Sequence, residues 1–517
     1  MWQDVEFVDG FHSPEHDELG PFIWSAGTFR LRFAQPGRLM RFTLCYYGLA
    51  GELTFSSGDQ VWDTASLTRG WHACHVDLRG LPAGQGVDCR LAPVIAVAGD
   101  SRELGLMFRE CEFLDDPAEF AMLRQVQRNL WLNQQEFRSG LSVLSSTPPA
   151  LRLTLETRCN IPETSQACVY CPWDWAKLAE RGAPRVTADT LTQLGAIYQS
   201  ATEVVDCSVG EPTMHKELGP YVARLDRDGK QLSLVTNGQL LSPRIRRELL
   251  GKNLDLYVSV DAPTAHGYAR LRNDRFDDLV ANVTALCDEK RSHGDLPKVY
   301  LACIVMRSTW DDLEEMFLLA RRLGADVLKL RPLNLDENVP HVVTNNGYRF
   351  DYAEEVLGAA ELAELNDRAG KLSLEHGVDV YVESEEFPLC ITEPDAPICN
   401  EPWRTMYVLS RGIMPCCYAT EPLARWSEQG DRSLEQFLRD VFNGPGYQEI
   451  RRELAAGRLS DYCQRTASCP IVKQRRAQGQ LDAPANVFQL AAERPVAQRL
   501  IDPSDLPLVS IDSLVHV

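Results

Sequence analysis

Two groups of cysteines hold the chemistry most open to reading in this chain of 517 residues and sixteen cysteines. The first reads Cys159-Asn-Ile-Pro-Glu-Thr-Ser-Gln-Ala-Cys168-Val-Tyr-Cys171. Three thiolates can hold three irons of a [4Fe–4S] cluster and leave the fourth iron open. An open position is what a metal centre needs to bind a reactant directly. A zinc site completed by a histidine or a further cysteine uses the same residue types. The second group comprises Cys399, the adjacent Cys416 and Cys417, Cys463 and Cys469. Four thiolates saturate a cluster, which suits electron transfer or structural support, and a four-cysteine zinc site is the alternative.

The surrounding pattern says which elements position these groups. From Leu151 onward, apolar runs and helical periodicity alternate. Candidate strands are Leu151–Glu156, Glu203–Val209, Gln231–Val235, Leu254–Val260, Val299–Val305 and Val327–Leu330, with helices between them such as Phe276–Asp288 and Leu313–Leu323. Six strand-then-helix repeats predict parallel strands with crossover helices. Six units are too few for a closed eight-stranded barrel, so an open, partial (β/α)6 TIM-like barrel is expected, with its site at the C-terminal strand ends. The first cysteine group follows the first strand directly and so falls at that mouth. Residues 20–112 instead show period-2 alternation, as in Phe29, Leu31 and Phe33, with turn signals at Gln35-Pro36-Gly37 and Ser57-Gly58-Asp59. That predicts a small all-β sandwich. Residues 116–138 read as a helix, and Thr147-Pro148-Pro149 breaks the chain.

With these residues in place, a resemblance becomes plain. Cys168-Val-Tyr-Cys171 resembles the second half of the cluster motif of the radical S-adenosylmethionine (SAM) superfamily, although the first gap is wider than the family's usual one. Gly210-Glu211-Pro212, Thr236-Asn237-Gly238 and Ser259-Val260-Asp261 end successive strands and resemble the family's SAM-contacting motifs. The resemblance implies that Tyr170 contacts the adenine and that the Gly210-Glu211-Pro212 backbone meets the SAM amino group. It also implies roles in SAM binding for Asn237, Ser259, Asp261, Arg272 and Val305. Cys399, Gly412 and Cys417 resemble the opening half of the SPASM motif, with Cys463 and Cys469 remaining from its second half. This implies a twitch-like or shortened SPASM domain whose one auxiliary [4Fe–4S] cluster is held by Cys399, Cys417, Cys463 and Cys469. The roles of Cys390 and Cys416 stay open. The resemblance further implies reductive cleavage of SAM, hydrogen abstraction from a substrate, and a low-potential donor such as flavodoxin or ferredoxin.

The expected architecture is therefore α/β. It comprises a β-sandwich over 1–115, a helical connector over 116–148, a radical SAM partial barrel over 149–385, a SPASM/twitch auxiliary domain over 386–475 and a tail over 476–517. Arg331, Asn334 and His341 follow the sixth strand and are candidates to face the substrate; Glu383, Glu385 and Glu386 are candidate bases. His72 and His75, flanking Cys74, are read as strand alternation, with a metal site as the alternative. Trp24, Trp62 and Trp71 are read as either a sugar-stacking face or core. Cys45, Cys74, Cys89, Cys111, Cys207, Cys287 and Cys303 stand alone and read as small hydrophobes.

Bulk composition narrows the partners. A formal charge of −20 repels phosphate backbones, so nucleic acid is not expected. No run of about 18 apolar residues exists, and the acidic stretch Met1–Gly20 lacks the apolar core of a secretory signal, so no membrane partner and a cytoplasmic setting are expected. The β-rich N-terminus does not resemble a winged helix, which points toward a sugar-like or other small metabolite as substrate. A SPASM-type peptide maturase and a non-catalytic zinc-bearing binding protein are the alternatives.

Overall fold

The computed structural model describes residues 5–17, 20–94, 105–161, 168–171, 186–208, 210–333, 342–345, 347–383, 397–416, 419, 421–466 and 469–481. Two compact units divide at Pro149/Ala150.

The first unit is antiparallel. Its strands are β1 (Val5–Phe11), β2 (Glu15–Asp17), β3 (Gly20–Phe33), β4 (Leu39–Ser57), β5 (Gln60–Asp77), β6 (Gly86–Ala92) and β7 (Met107–Leu114). The long strands change partners along their length. β3 pairs with β7 at Ile23–Trp24 and with β6 at Thr28–Arg32, while β4 pairs with β7 at Leu39–Cys45 and with β6 at Glu52–Ser56. Hydrogen bonding therefore runs in a circuit, β3-β6-β4-β7. The alternating residues expected to face inward do so: Phe29, Leu31, Phe33, Phe42, Phe55 and Phe108 share one buried core.

The helix Pro117–Arg138 belongs to this unit. Asp116 caps its N-terminus, and Arg124 forms a bidentate pair with Asp63 of β5 at 2.6 and 2.7 Å. Trp24 is buried with Phe22, Cys45 and Met107, and Trp62 packs on the main core, so neither is a stacking platform. The Trp71 side chain lies outside the described residues. His72 Nδ1 meets the Gly70 carbonyl, and His75 is buried against Gln127. Burial lowers both histidine pKa values, that of His75 to about 4, so neither ring carries charge near neutral pH.

The second unit carries the six strands read from the sequence: β8 (Ala150–Leu153), β9 (Glu203–Asp206), β10 (Gln231–Thr236), β11 (Leu254–Ser259), β12 (Lys298–Val305) and β13 (Val327–Pro332). They are parallel and neighbour one another in chain order. The sheet is wider than six. After the hairpin β14 (Val342–Asn345) and β15 (Tyr348–Asp351), β16 (Asp379–Val382) adds in parallel beside β13. β17 (Thr405–Leu409) adds in parallel beside β8, and β18 (Gly412–Met414) returns antiparallel to it. The result is a nine-stranded, nearly closed, barrel-like sheet.

Burial alternates along these strands, as a sheet covered by helices on one face requires. In β11, Leu254, Leu256 and Val258 are buried while Asp255, Tyr257 and Ser259 are less so. Val258 lies beside Leu279 and Val283 of the helix Phe276–Lys290, around Gly238, so the fully buried parity faces the helices. Tyr257 and Ser259 therefore face the lumen. No helix among the described residues is long and apolar enough to cross a membrane.

Candidate active site

The loop bearing the first cysteine group is anchored at both ends. At its start, Glu156 is fully buried and its carboxylate accepts hydrogen bonds from the backbone of Thr157 and Arg158 and from the Arg158 guanidinium, at 2.9–3.1 Å. Arg158 then donates to the Met214 carbonyl at 3.3 Å. The backbone of Gly210 and Glu211 donates to the carbonyls of Glu156 and Arg158, so the Gly210-Glu211-Pro212 turn is stitched to the cysteine loop. Gly210 is required by this approach: a Cβ there would lie 2.2 Å from the Arg158 carbonyl oxygen. Gly210→Ala is expected to push the two segments apart and weaken SAM binding at least about tenfold, about 1.4 kcal/mol, as equilibrium dialysis would measure.

The Glu211 side chain makes its hydrogen bonds with the strand ends, while its charge adds to the rise of the Cys159 thiol. It is buried and accepts from Thr213, from the Thr236 hydroxyl at 2.6 Å and from the Asn237 backbone at 2.7 Å. Burial raises its pKa although these donors favour the charged form. Its role is to join the ends of β9 and β10. Asn237 is thereby aimed at the cysteines. Its amide donates to Asn160 Oδ1 at 2.7 Å and approaches Cys159 Sγ at 4.0 Å. Asn160 donates to Gln239, and Gln239 to Asn273 and to the Tyr268 hydroxyl, at 2.7–2.9 Å. This buried amide ladder was not read from the sequence.

At the other end, Cys171 N–H donates to the Cys168 carbonyl, and Val169 N–H to Leu271. Asp261, past the end of β11, is the hub. One carboxylate oxygen takes the Tyr170 hydroxyl and the Arg272 Nε, the latter at 2.5 Å; the other takes Ile304 N–H at 2.9 Å. Arg272 also points Nη1 at Cys168 Sγ at 3.9 Å, and its guanidinium sits 5.6 Å from the Tyr170 ring centre. Tyr170 is buried in an apolar cluster with Ala262, Met306 and Phe350. Breaking a buried pair leaves an uncompensated charge. Asp261→Asn should therefore cost about 3 kcal/mol of stability, read as a fall in denaturation midpoint.

Tyr170, Gly210, Glu211, Pro212, Asn237, Asp261 and Arg272 are thus gathered around Cys159, Cys168 and Cys171, with Ser259 on the lumen face just below. Val305 is the exception: it falls on the buried, helix-facing parity of β12, so its side chain belongs to the core. Burial pushes the Cys159 and Cys168 thiols above their ordinary range, with the neighbouring thiols adding to the effect at Cys159. Unligated, these thiols are protonated; a bound metal would displace the protons. Among the described residues, the three-ligand group whose ligand atoms all lie within 4.8 Å is Glu314, Glu375 and His376, not any cysteine set.

The family model for the radical SAM superfamily matches residues 161–320. The chain carries a radical SAM domain. Radical SAM proteins use a [4Fe–4S] cluster and SAM. The chain is similar to GTP 3',8-cyclase of Synechococcus sp. (strain CC9902), 34% identical over 129 residues, which are 23% of this chain and 34% of that protein. It is also similar to the tungsten-containing aldehyde ferredoxin oxidoreductase cofactor-modifying protein of Pyrococcus furiosus, 28% identical over 130 residues, covering 23% and 35%. The matches span about a third of the length of these curated relatives. Among solved structures, SuiB of Streptococcus suis bound to S-adenosylmethionine aligns over 70% of this chain and 76% of its own, at 14% identity and a TM-score of 0.44. Native anSMEcpe with bound AdoMet and Cp18Cys peptide aligns over 66% and 95%, at 14% identity and 0.39.

The second cysteine group lies beyond the radical SAM domain. Cys399, Cys416, Cys463 and Cys469 line one cavity with Tyr462 and Ile450. Cys399 precedes the short helix Glu401–Arg404, Cys463 sits in the helix Asp461–Gln464 capped by Ser460, and Cys469 caps the helix Pro470–Ala477. Burial raises the Cys399 and Cys463 thiols. Cys390 and Cys417 lie outside the described residues, as do Asn334, His341, Glu385 and Glu386. Arg331, at the end of β13, pairs with Glu383 at 3.5 Å. Of the solitary cysteines, Cys45, Cys74, Cys89, Cys287 and Cys303 are buried, while Cys111 and Cys207 are partly exposed.

Proposed function

We propose that this chain cleaves SAM reductively at a cluster held by Cys159, Cys168 and Cys171, and abstracts hydrogen from a sugar-like or other small metabolite in the barrel lumen. The observation that carries the reading is the convergence of the Cys159 and Cys168 thiols, with Cys171 turned back onto Cys168 through its backbone, with the Asp261–Tyr170–Arg272 hub and the Asn237 amide at the mouth of a nearly closed, mainly parallel sheet. When bound, the cluster and SAM together supply a 5′-deoxyadenosyl radical. The chain's own residues do the rest. Glu156 and Arg158 hold the loop base, and Glu211 fixes the strand ends where SAM would lie. Arg272 and Asn237 direct donors toward two of the cysteine sulfurs, and hydrogen bonds to cluster ligands are a known lever on Fe–S potential. The apolar cluster around Tyr170 excludes water from the loop.

A second cluster suits the cavity of the C-terminal region, held by Cys399, Cys463, Cys469 and one of the adjacent pair Cys416 and Cys417. Cys416 lines that cavity. A low-potential protein donor of the flavodoxin or ferredoxin class would deliver electrons. The test is isotopic. Reconstituted protein, reductant and SAM are incubated with a panel of C-deuterated sugars, related metabolites and peptides, and transfer of deuterium into 5′-deoxyadenosine marks the substrate. Transfer only from peptides would overturn the small-metabolite assignment.

A further inference from the structure

The lumen next to the SAM-facing residues carries a charge pattern that the reaction outlined so far does not use. Strand register sets two rows side by side. One row aligns Ser259 of β11, Ala302 of β12, Lys329 of β13 and Tyr381 of β16. The next aligns Ile304, bonded to Asp261, with Arg331. Lys329 and Arg331 are two residues apart on one strand and so share a face. That face is the lumen, because the Lys329 ammonium lies 4.9 Å from the ring centre of Tyr257 and 5.7 Å from that of Tyr381. Tyr257 in turn stacks on Tyr300 at 4.5 Å.

Glu383, just past β16, is shared by both cations, at 3.0 Å from Lys329 and 3.5 Å from Arg331. Among the described residues, these two positive groups and one carboxylate leave one positive charge in surplus. The Arg331 side chain is 51% exposed. Its forked guanidinium can take a carboxylate or phosphate in a bidentate manner.

We infer that Lys329 and Arg331, with Glu383 as counter-ion, form a substrate-anchoring subsite for one anionic group, a carboxylate or a phosphate, on the lumen wall. This rests on the reading of the barrel mouth as the radical SAM site. The subsite is two strands from Ser259, about 10 Å along the sheet at ordinary strand spacing. A substrate held there by its anionic end would extend across the tyrosine surface and present a carbon several bonds away toward the SAM-facing residues. Ala302 lies between the two points, and the Tyr257 and Tyr300 rings, two residues earlier on their strands, supply an apolar, stacking floor beside them.

The test uses the full-length, cluster-loaded protein under anaerobic, low-salt conditions. Calorimetric titrations are run with inorganic phosphate and, separately, with acetate. The subsite predicts one equivalent of at least one probe bound, and the preferred probe distinguishes phosphate from carboxylate recognition. Arg331→Gln should weaken that binding at least about tenfold, whereas Glu383→Gln, which removes the competing carboxylate, should tighten it severalfold. Lys252→Gln, a surface lysine paired with Asp226, is the charge control and should leave the titration unchanged. Neither probe binding the wild-type chain, or Glu383→Gln and Arg331→Gln both matching wild type, would overturn the subsite. Absence of SAM cleavage by the wild type would instead count against the radical SAM reading and leave the anion result standing.

Discussion

Cys171→Ala, and equally Cys159→Ala or Cys168→Ala, reduces 5′-deoxyadenosine formation by at least about three orders of magnitude, about 4 kcal/mol in barrier terms. The size follows from how little else can supply the missing ligand. Cys159 is reached by the Asn237 amide and Cys168 by Arg272, both donors that cannot replace a thiolate. The surrounding loop is held by hydrogen bonds that persist after the substitution, including Val169 to Leu271 and Tyr170 to Asp261. The variants should therefore fold, and near-native circular dichroism and melting would separate lost chemistry from lost structure. Retained product in any of the three would contradict the ligand set.

The second large effect separates the two cysteine groups. Cys463→Ala is expected to spare SAM cleavage within about threefold, to lower iron from about eight to about four per chain, and to abolish substrate turnover. The cavity is lined by Cys399, Cys416 and the helices near Cys463 and Cys469, and among the described residues its lining includes none of Cys159, Cys168 and Cys171. Iron and sulfide quantification and product analysis check both halves of the expectation. The adjacent pair is resolved in the same way: whichever of Cys416→Ala and Cys417→Ala loses the same four irons identifies the fourth ligand. Stoichiometric zinc in place of iron would overturn the cluster assignment for this cavity.

The central part of the fold was legible because parallel strands buried against helices give short apolar runs at regular spacing. The runs near 151, 203, 231, 254, 299 and 327 are the six adjacent strands β8 to β13. The outer strands were not. Asp379–Val382 has four residues, and Thr405–Leu409 follows a proline-rich cysteine segment; each joins the sheet through pairing with distant residues and has no local signal of its own. In the first unit the alternation showed which residues face inward, but not that β3 and β4 each switch partners midway to close a hydrogen-bonded circuit.

The site shows the same division. Cysteines and the residues at successive strand ends declare themselves by type and order. Asn160, Gln239 and Asn273 do not, because an amide in a loop is ordinary until it finds a partner, here as far as 79 residues away. Val305 shows what parity does: one residue along a strand exchanges the lumen for the helical layer, and its side chain falls on the buried side. Lys329 escaped notice for the converse reason. Within Val327–Leu330 it reads as a polar interruption of an apolar run, and only the register with Ala302 and Tyr381 sets it in one row with Ser259.

The most direct test is anaerobic reconstitution with iron and sulfide, reduction, and addition of SAM, followed by quantification of 5′-deoxyadenosine and methionine. The account predicts both products in equal amounts, from a brown protein whose chromophore is diminished in Cys159, Cys168 and Cys171 variants. A reconstituted protein that binds iron yet leaves SAM intact, or one that binds only zinc at these thiols, would contradict it.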